Sequence, residues 1–243
     1  MIDLWDDTRR FVVRELPLLL PVGLATFGLA TLIVSLVAPE HQTEAATRFE
    51  PWMLWMIPAL VLMLTGYLAT SCIALAPGVS VAEAIDGAIR RLPTAVGIML
   101  LLVLAMSVVI LLAGLVTGLF ANAVGMNQLG AVTLMVLALL PPLIWLSIRL
   151  AVLWPTLADR HEGVRNTLGR AMGLTRGHGL IIVAMMFVSG MIYLVLTAVV
   201  QLAGGSLLLL LARFLSSPQT GPVLVAILMA AFNAIYLIFW SVM

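Results

Sequence analysis

Chemistry in a protein needs convergent groups, and this chain offers few candidates. Catalysis requires a nucleophile, a base and an orienting partner held together, or a metal cluster. The three histidines lie in loops on opposite sides of the expected topology, His41 in the first connection and His161 and His178 in the fourth. Glu40, His41 and Glu44 fit one helical turn and could offer metal ligands, but three is few and loop carboxylates are ordinarily solvated. Asp159, Arg160, His161 and Glu162 contain one acid-base pair, in the kind of charged turn that any solvent-facing loop needs. Cys72 is the sole cysteine, which excludes a disulfide framework and a thiolate metal site. Beside Thr70 and Ser71 it reads as a buried, inert thiol. No catalytic residue, metal or cofactor is expected, and the chain reads as a non-enzyme.

The elements that would have to position such groups are overwhelmingly apolar. Hydrophobic residues make up 63% of the 243 and charged residues 9%, where a soluble domain carries roughly a quarter charged residues. Six stretches approach or exceed the ~20 residues of helix that cross a hydrocarbon core: Pro17 to Ala38, Trp52 to Ala76, Thr94 to Phe120, Leu129 to Leu150, Leu180 to Ala203 and Pro222 to Met243. The expected fold is all-α, a single integral membrane domain with six transmembrane helices. The first stretch is too long, and too acidic upstream at Asp3, Asp6 and Asp7, for a cleaved signal peptide. Trp52, Trp55, Trp154 and Trp240 sit near span ends, as an aromatic belt requires. Pro58 and Pro141-Pro142 are expected to kink or break their helices. Gly204-Gly205 is expected to end the fifth span, leaving Ser206 to Leu215 as an outer interfacial or re-entrant helix.

Arginine placement sets the expected orientation. There are twelve arginines and no lysine, and ten of the twelve fall in three segments. Arg9, Arg10 and Arg14 precede the first span. Arg90 and Arg91 lie in the second connection, and Arg149, Arg160, Arg165, Arg170 and Arg176 in the fourth. The first and fifth connections carry only Arg48 and Arg213. The positive-inside rule then puts both ends of the sequence in the cytoplasm.

The three basic segments are also amphipathic and share a pattern. Val81, Ile85, Ala88, Ile89 and Leu92 form one apolar helix stripe, with Glu83, Asp86 and Arg90 opposite. The same offsets give Val164, Leu168, Ala171, Met172 and Thr175, and again Trp5, Arg9, Val12, Val13 and Leu16, with Arg9 and Thr175 breaking the stripe. Leu16-Pro17 and Leu92-Pro93 end two segments alike, where proline suits the start of a new helix. The spacing predicts three amphipathic interfacial helices. With the spans these give three pseudo-repeats of helix plus transmembrane hairpin, over residues 1–77, 78–158 and 159–243. The simpler alternative is that any six-span protein carries amphipathic inner loops.

The fourth connection carries a resemblance. Arg149-Leu150, Pro155, Glu162-Gly163, Leu168-Gly169-Arg170-Ala171 and Leu174-Thr175-Arg176-Gly177 resemble bacterial six-span proteins of the YciC-like type. They are similar too to the membrane domain fused to some glycerophosphodiester phosphodiesterases. Val81-Ala82-Glu83-Ala84 with Arg90-Arg91-Leu92-Pro93 resembles that family's second connection. The chain departs from the pattern at Ala171-Met172 and at Gly179. The resemblance implies a plasma-membrane protein without established chemistry, and it brings no phosphodiesterase site, which belongs to a separate soluble domain.

The remaining candidates are contact residues. Arg90, Arg91, Arg149, Arg165, Arg170 and Arg176 are expected to meet anionic lipid headgroups or a partner, Arg149 by snorkelling from the inner end of the fourth span. Gly114 and Gly118 give a GxxxG spacing for helix packing, as Ala226, Ala230 and Ala234 give small residues every fourth position. Asn233, an amide within the last span, should face another helix or chain. The expected function is a non-catalytic scaffold or accessory subunit for other membrane proteins, or a homo-oligomer. The alternative is lipid handling or transport by a basic collar and kinked helices. Nucleic acid is not an expected partner. A GFP fused after Met243 should fluoresce and an alkaline phosphatase fused there should be inactive; the reverse pattern overturns the orientation.

Overall fold

The structure, a computed structural model, describes residues 2–37, 51–76, 78–150, 153–159, 163–177, 179–214 and 220–242. Among them every regular element is a helix and there is no strand. The first span is α1 (Ile2–Gly23), a π-helical turn (Leu24–Gly28) and α2 (Leu29–Val37). A tight turn of 3-10 helix (Pro51–Trp55) leads into α3 (Met56–Leu75), the second span. The third is α4 (Val81–Val124) and the fourth α5 (Gln128–Leu150), followed by two short helices, α6 (Leu153–Asp159) and α7 (Val164–Leu174). The fifth is α8 (Gly179–Val199), a second π-helical turn (Val200–Gly205) and α9 (Ser206–Phe214), and the sixth is α10 (Thr220–Val242). Six helices are thus long and apolar enough to cross a membrane, and the chain is an all-α, multi-pass membrane protein.

Two helix boundaries expected from proline are not there. Pro17 lies inside α1, and Pro93 lies inside α4, which runs unbroken for 44 residues. At 1.5 Å per residue that is ~66 Å, about twice a hydrocarbon core. A proline inside a helix strands the carbonyl four residues earlier. Here those carbonyls belong to Val13 and Ile89, residues that are 66% and 55% exposed, so the interrupted turn lies on an outward face of each helix rather than in the packed core. Segments 5–16 and 81–92 are accordingly the first turns of long helices, whereas α7 is a helix of its own. Pro58 sits in the first turn of α3, where its missing N–H costs no intrahelical bond, and α5 passes through Pro141 and Pro142. Gly204-Gly205 does not end the fifth span either: the chain widens into the π-helical turn there and remains helical to Phe214.

Local signals fix the ends of α4 and the start of α5. Ser80 and Glu83 form a capping box: the Ser80 amide donates to Glu83 Oε2 at 2.9 Å and the Glu83 amide to Ser80 Oγ at 3.3 Å. At the other end Gly125 takes φ +68°, the left-handed conformation that closes helices, and the Met126 amide returns to the Ala121 carbonyl at 2.9 Å. Asn127 Oδ1 then accepts from the Gly130 amide at 2.9 Å and starts α5.

The chain divides into two compact units, Met1–Leu92 with Phe187–Met243, and Pro93–Met186. The first is organised around α10, which touches α1, α2, α3, α9 and both π-helical turns. Ala230, Ala234 and Ile238 are buried on one face of α10, and Ala226 is half-buried. Gly28 of the first π-helical turn meets that face so closely that an added Cβ would lie 3.7 Å from Ala234 Cβ. A Cβ on Gly204 of the second turn would lie 2.6 Å from Leu228 Cδ2, and one on Gly23 would overlap Ile238. On the other side of the first span, Phe27 is fully buried and meets the Tyr67 ring edge-on at 4.9 Å. Gly66 beside it leaves room for Thr26 and Phe27; a Cβ there would stand 2.5 Å from Thr26 Oγ1.

In the second unit, α6 and α7 pack on each other and on α5, burying Leu153, Leu157, Thr167 and Ala171. Thr175, the polar residue on the expected apolar stripe, is 2% exposed. Its hydroxyl donates to the Ala171 carbonyl at 3.1 Å, which leaves the methyl to act as the apolar group. The remainder of this unit is thinly packed: the apolar window of the fourth span has none of its residues buried, against 44% in the second span.

These contacts separate glycines that carry packing from glycines that do not. Gly66→Leu must displace Thr26 and Phe27 and is expected to cost ~1–3 kcal/mol of stability or more, the range for overpacking. Gly118→Leu enters open space and should stay within ~0.5 kcal/mol of the parent. Thermal midpoints in one detergent, read by size-exclusion fluorescence, compare the two.

Candidate functional site

A polar and aromatic cluster lies within the apolar body of the first unit, between α8 and α10. Apolar side chains dominate both helices, so a hydroxyl or amide among them gains from a partner inside the protein; Thr197 of α8 has a buried hydroxyl with none among the described residues. The Tyr193 hydroxyl donates to Asn233 Oδ1 at 2.7 Å. One turn earlier on α8, Ser189 Oγ lies 3.0 Å from the Tyr236 hydroxyl, which also donates to the Ser189 carbonyl at 3.2 Å. The Tyr193 and Tyr236 rings are 4.5 Å apart, and Tyr193 stacks on Phe232 at 6.1 Å. Two of the chain's three tyrosines and its one amide in the last span therefore form a single group. The spacing Ser189-Tyr193 and Phe232-Asn233-Tyr236 places each set along one edge of its helix. Nothing in the sequence pairs the two edges.

A second group lies where α3 meets the start of α4. Arg91 Nη1 donates to Cys72 Sγ at 2.9 Å. The side chain reaches it by folding back over Gly87, where an added Cβ would stand 3.7 Å from Arg91 Nη1 and 3.9 Å from Cys72 Sγ. Ser71, next to Cys72, is 2% exposed, and its hydroxyl has no hydrogen-bond partner among the described residues. Cys72 is thus half-buried and held by a cation, a contact that the composition of the loop does not reveal.

The other basic residues separate by environment. Arg90 pairs with Asp86 at 2.9 Å one turn earlier, on the exposed side of α4, a surface pair of little energetic weight. Arg165 and Arg176 are exposed on α7 and in the turn after it, and Arg170 is half-buried. Arg149 lies in the last turn of α5, and its side chain lies outside the described residues, as do the side chain of Asp159 and all of Glu40, His41, Glu44, Arg160, His161, Glu162 and His178. Among the described residues no group of three metal-binding side chains forms.

The glycines named for packing part company. Gly114 meets only Met135, whose Cε would be 3.8 Å from an added Cβ, and Gly118 has nothing within 4 Å. Among the described residues the close approaches fall at Gly23, Gly28, Gly66 and Gly204. Compared with protein-family models, curated proteins and solved structures, the chain matches none.

The Tyr193-Asn233 bond joins the fifth span to the sixth, and its weight can be measured. A double-mutant cycle with Tyr193→Phe and Asn233→Leu should return a coupling of ~0.6–1.7 kcal/mol, the range for hydrogen bonds between membrane helices. Equilibrium unfolding in mixed micelles reads it; a coupling indistinguishable from zero refutes the bond.

Proposed function

We propose that the protein is a non-catalytic scaffold or accessory subunit of the bacterial inner membrane, of the YciC-like kind, with both ends of the sequence cytoplasmic. Its partners are other membrane proteins or further copies of itself. The observation that carries this reading is the face of α4 at Gly114 and Gly118. Small residues at this spacing let a second helix approach to backbone distance, and no helix of its own unit occupies the space at Gly118. The adjacent fourth span buries none of its apolar window within the chain, so this hairpin has apolar surface to spare for a partner. In the same reading the arginines of the three basic segments hold anionic headgroups around the assembly.

Lipid handling is the second reading, and Arg165 and Arg176 favour it. Both are exposed, and no carboxylate among the described residues pairs with either. Each basic group near an anionic surface contributes ~1 kcal/mol of attraction.

Affinity purification of the full chain in native lipid particles, with mass spectrometry of proteins and lipids, distinguishes the readings. The scaffold reading expects a stoichiometric protein partner or a homo-oligomer, lost from Gly118→Leu protein whose thermal midpoint is unchanged. Recovery of the lone chain with enriched anionic lipid favours lipid handling. Recovery of the lone chain with bulk lipid contradicts both.

A further inference from the structure

Arg91 stands apart from the other basic residues by its surroundings. Its neighbour Arg90 is balanced by Asp86 on the exposed side of α4, and Glu83 is engaged by Ser80 in the capping box. Arg165 and Arg176 are unpaired but exposed, so water carries their charge. Arg91 is half-buried, and no carboxylate among the described residues lies within ion-pair reach of it. Its one partner there is Cys72. A thiol is neutral and a weak acceptor, so the contact at 2.9 Å orients the guanidinium without balancing its charge. A charge half out of water and left unbalanced is costly. The contact uses Nη1 alone, and neither Nε nor Nη2 has a partner among the described residues. That edge is a two-donor fork that matches two oxygens of one phosphate. Cys72 lies in the last turn of α3, which ends at Leu75, and the apolar stretch of the third span begins at Thr94, so the fork sits where two spans leave the hydrocarbon. Lipid phosphates fill that level.

We propose that Arg91 binds the phosphate of one anionic phospholipid, with Cys72 as a positioning residue. Nη1 stays on Sγ, and Nε and Nη2 each donate to a phosphate oxygen. A zwitterionic headgroup brings its own cation to the phosphate and balances Arg91 less well. An acidic protein segment would match the fork too, but it would have to be carried to a surface where phosphates are already dense. The site rests on the headgroup role given to the basic segments, and narrows it to one guanidinium and one phosphate.

Native mass spectrometry of the full chain in detergent, titrated with dioleoylphosphatidylglycerol, reads the affinity of the first bound lipid. Arg91→Gln should weaken it about tenfold or more, the weight of a charge-assisted hydrogen bond, and Arg91→Lys, which keeps the charge but loses the fork, should recover only part of that. Arg90→Gln should change it less than about twofold, because that cation is already paired on the surface. Cys72→Ala frees the guanidinium and should weaken binding about threefold, and Cys72→Ser, which keeps an acceptor, should restore it. Dioleoylglycerol lacks the phosphate and inorganic phosphate lacks the chains, so neither should displace the lipid at matched concentration. Displacement by either, an equal loss in Arg90→Gln, or an acidic protein that co-purifies with the parent and not with Arg91→Gln overturns the proposal. If Arg91→Gln does not fold, Arg91→Lys and the two Cys72 variants decide. Lipid bound with unchanged affinity by Arg91→Gln overturns the proposal and leaves the headgroup role of the other arginines standing, whereas a parent that binds no lipid removes both.

Discussion

In hydrocarbon there is no water to expel, so membrane helices hold together only where they come close enough for dispersion forces to act or where a polar group bridges them. In the unit built around the sixth span, that closeness depends on Ala230 and Ala234 of α10 facing Gly28 of the first span. A larger residue on either side would push the two helices apart, and the other contacts of this unit follow from their approach. Phe27, next to Gly28, can reach Tyr67 only because the first span is seated this way, and Gly66 makes room for it. The first, second and sixth spans therefore share one set of small residues.

The two π-helical turns belong to the same constraint. Each widens its helix by one residue and presents glycine to α10, Gly28 in the first span and Gly204 in the fifth. Widening leaves backbone carbonyls poorly matched, and hydroxyls from the same helix answer them: Thr26 Oγ1 donates to the Val22 carbonyl at 2.7 Å and Ser206 Oγ to the Leu202 carbonyl. Such turns are uncommon and frequently mark functional positions. Here the second one lies on the same span as the Ser189-Tyr193 edge, so one helix carries both a packing adjustment and the polar cluster.

Much of the architecture was legible in composition and periodicity, because a run of apolar residues long enough to span a bilayer has few other uses. Six such runs were readable, and six membrane-length helices are present. The joints were not legible. Proline at positions 17 and 93 suggests new helices, yet both helices run through, with the interrupted turn on an exposed face, and which face is exposed depends on tertiary surroundings. Gly204-Gly205 suggested a stop for the same local reason, whereas the fold uses the pair for close approach. Ser80-x-x-Glu83 is a capping box written in the sequence, a local polar signal independent of the apolar stripe beside it. Asn233 demanded a partner, but nothing along the chain points to Tyr193, forty residues away. The Arg91-Cys72 contact is equally invisible, since it needs the gap at Gly87 and the approach of two helices.

The most direct test of this account is a disulfide between the two residues on which the packing rests. Gly28→Cys with Ala234→Cys, in a Cys72→Ser background, places two Cβ atoms at the 3.7 Å set by the backbone, inside the ~3.5–4.5 Å that a disulfide accepts. Mild oxidation in membranes should cross-link the pair nearly completely within one chain, while either cysteine alone should give no intramolecular bond. Failure of the pair to cross-link, with both single-cysteine proteins folded and reactive, would contradict the close approach of α10 to the first span.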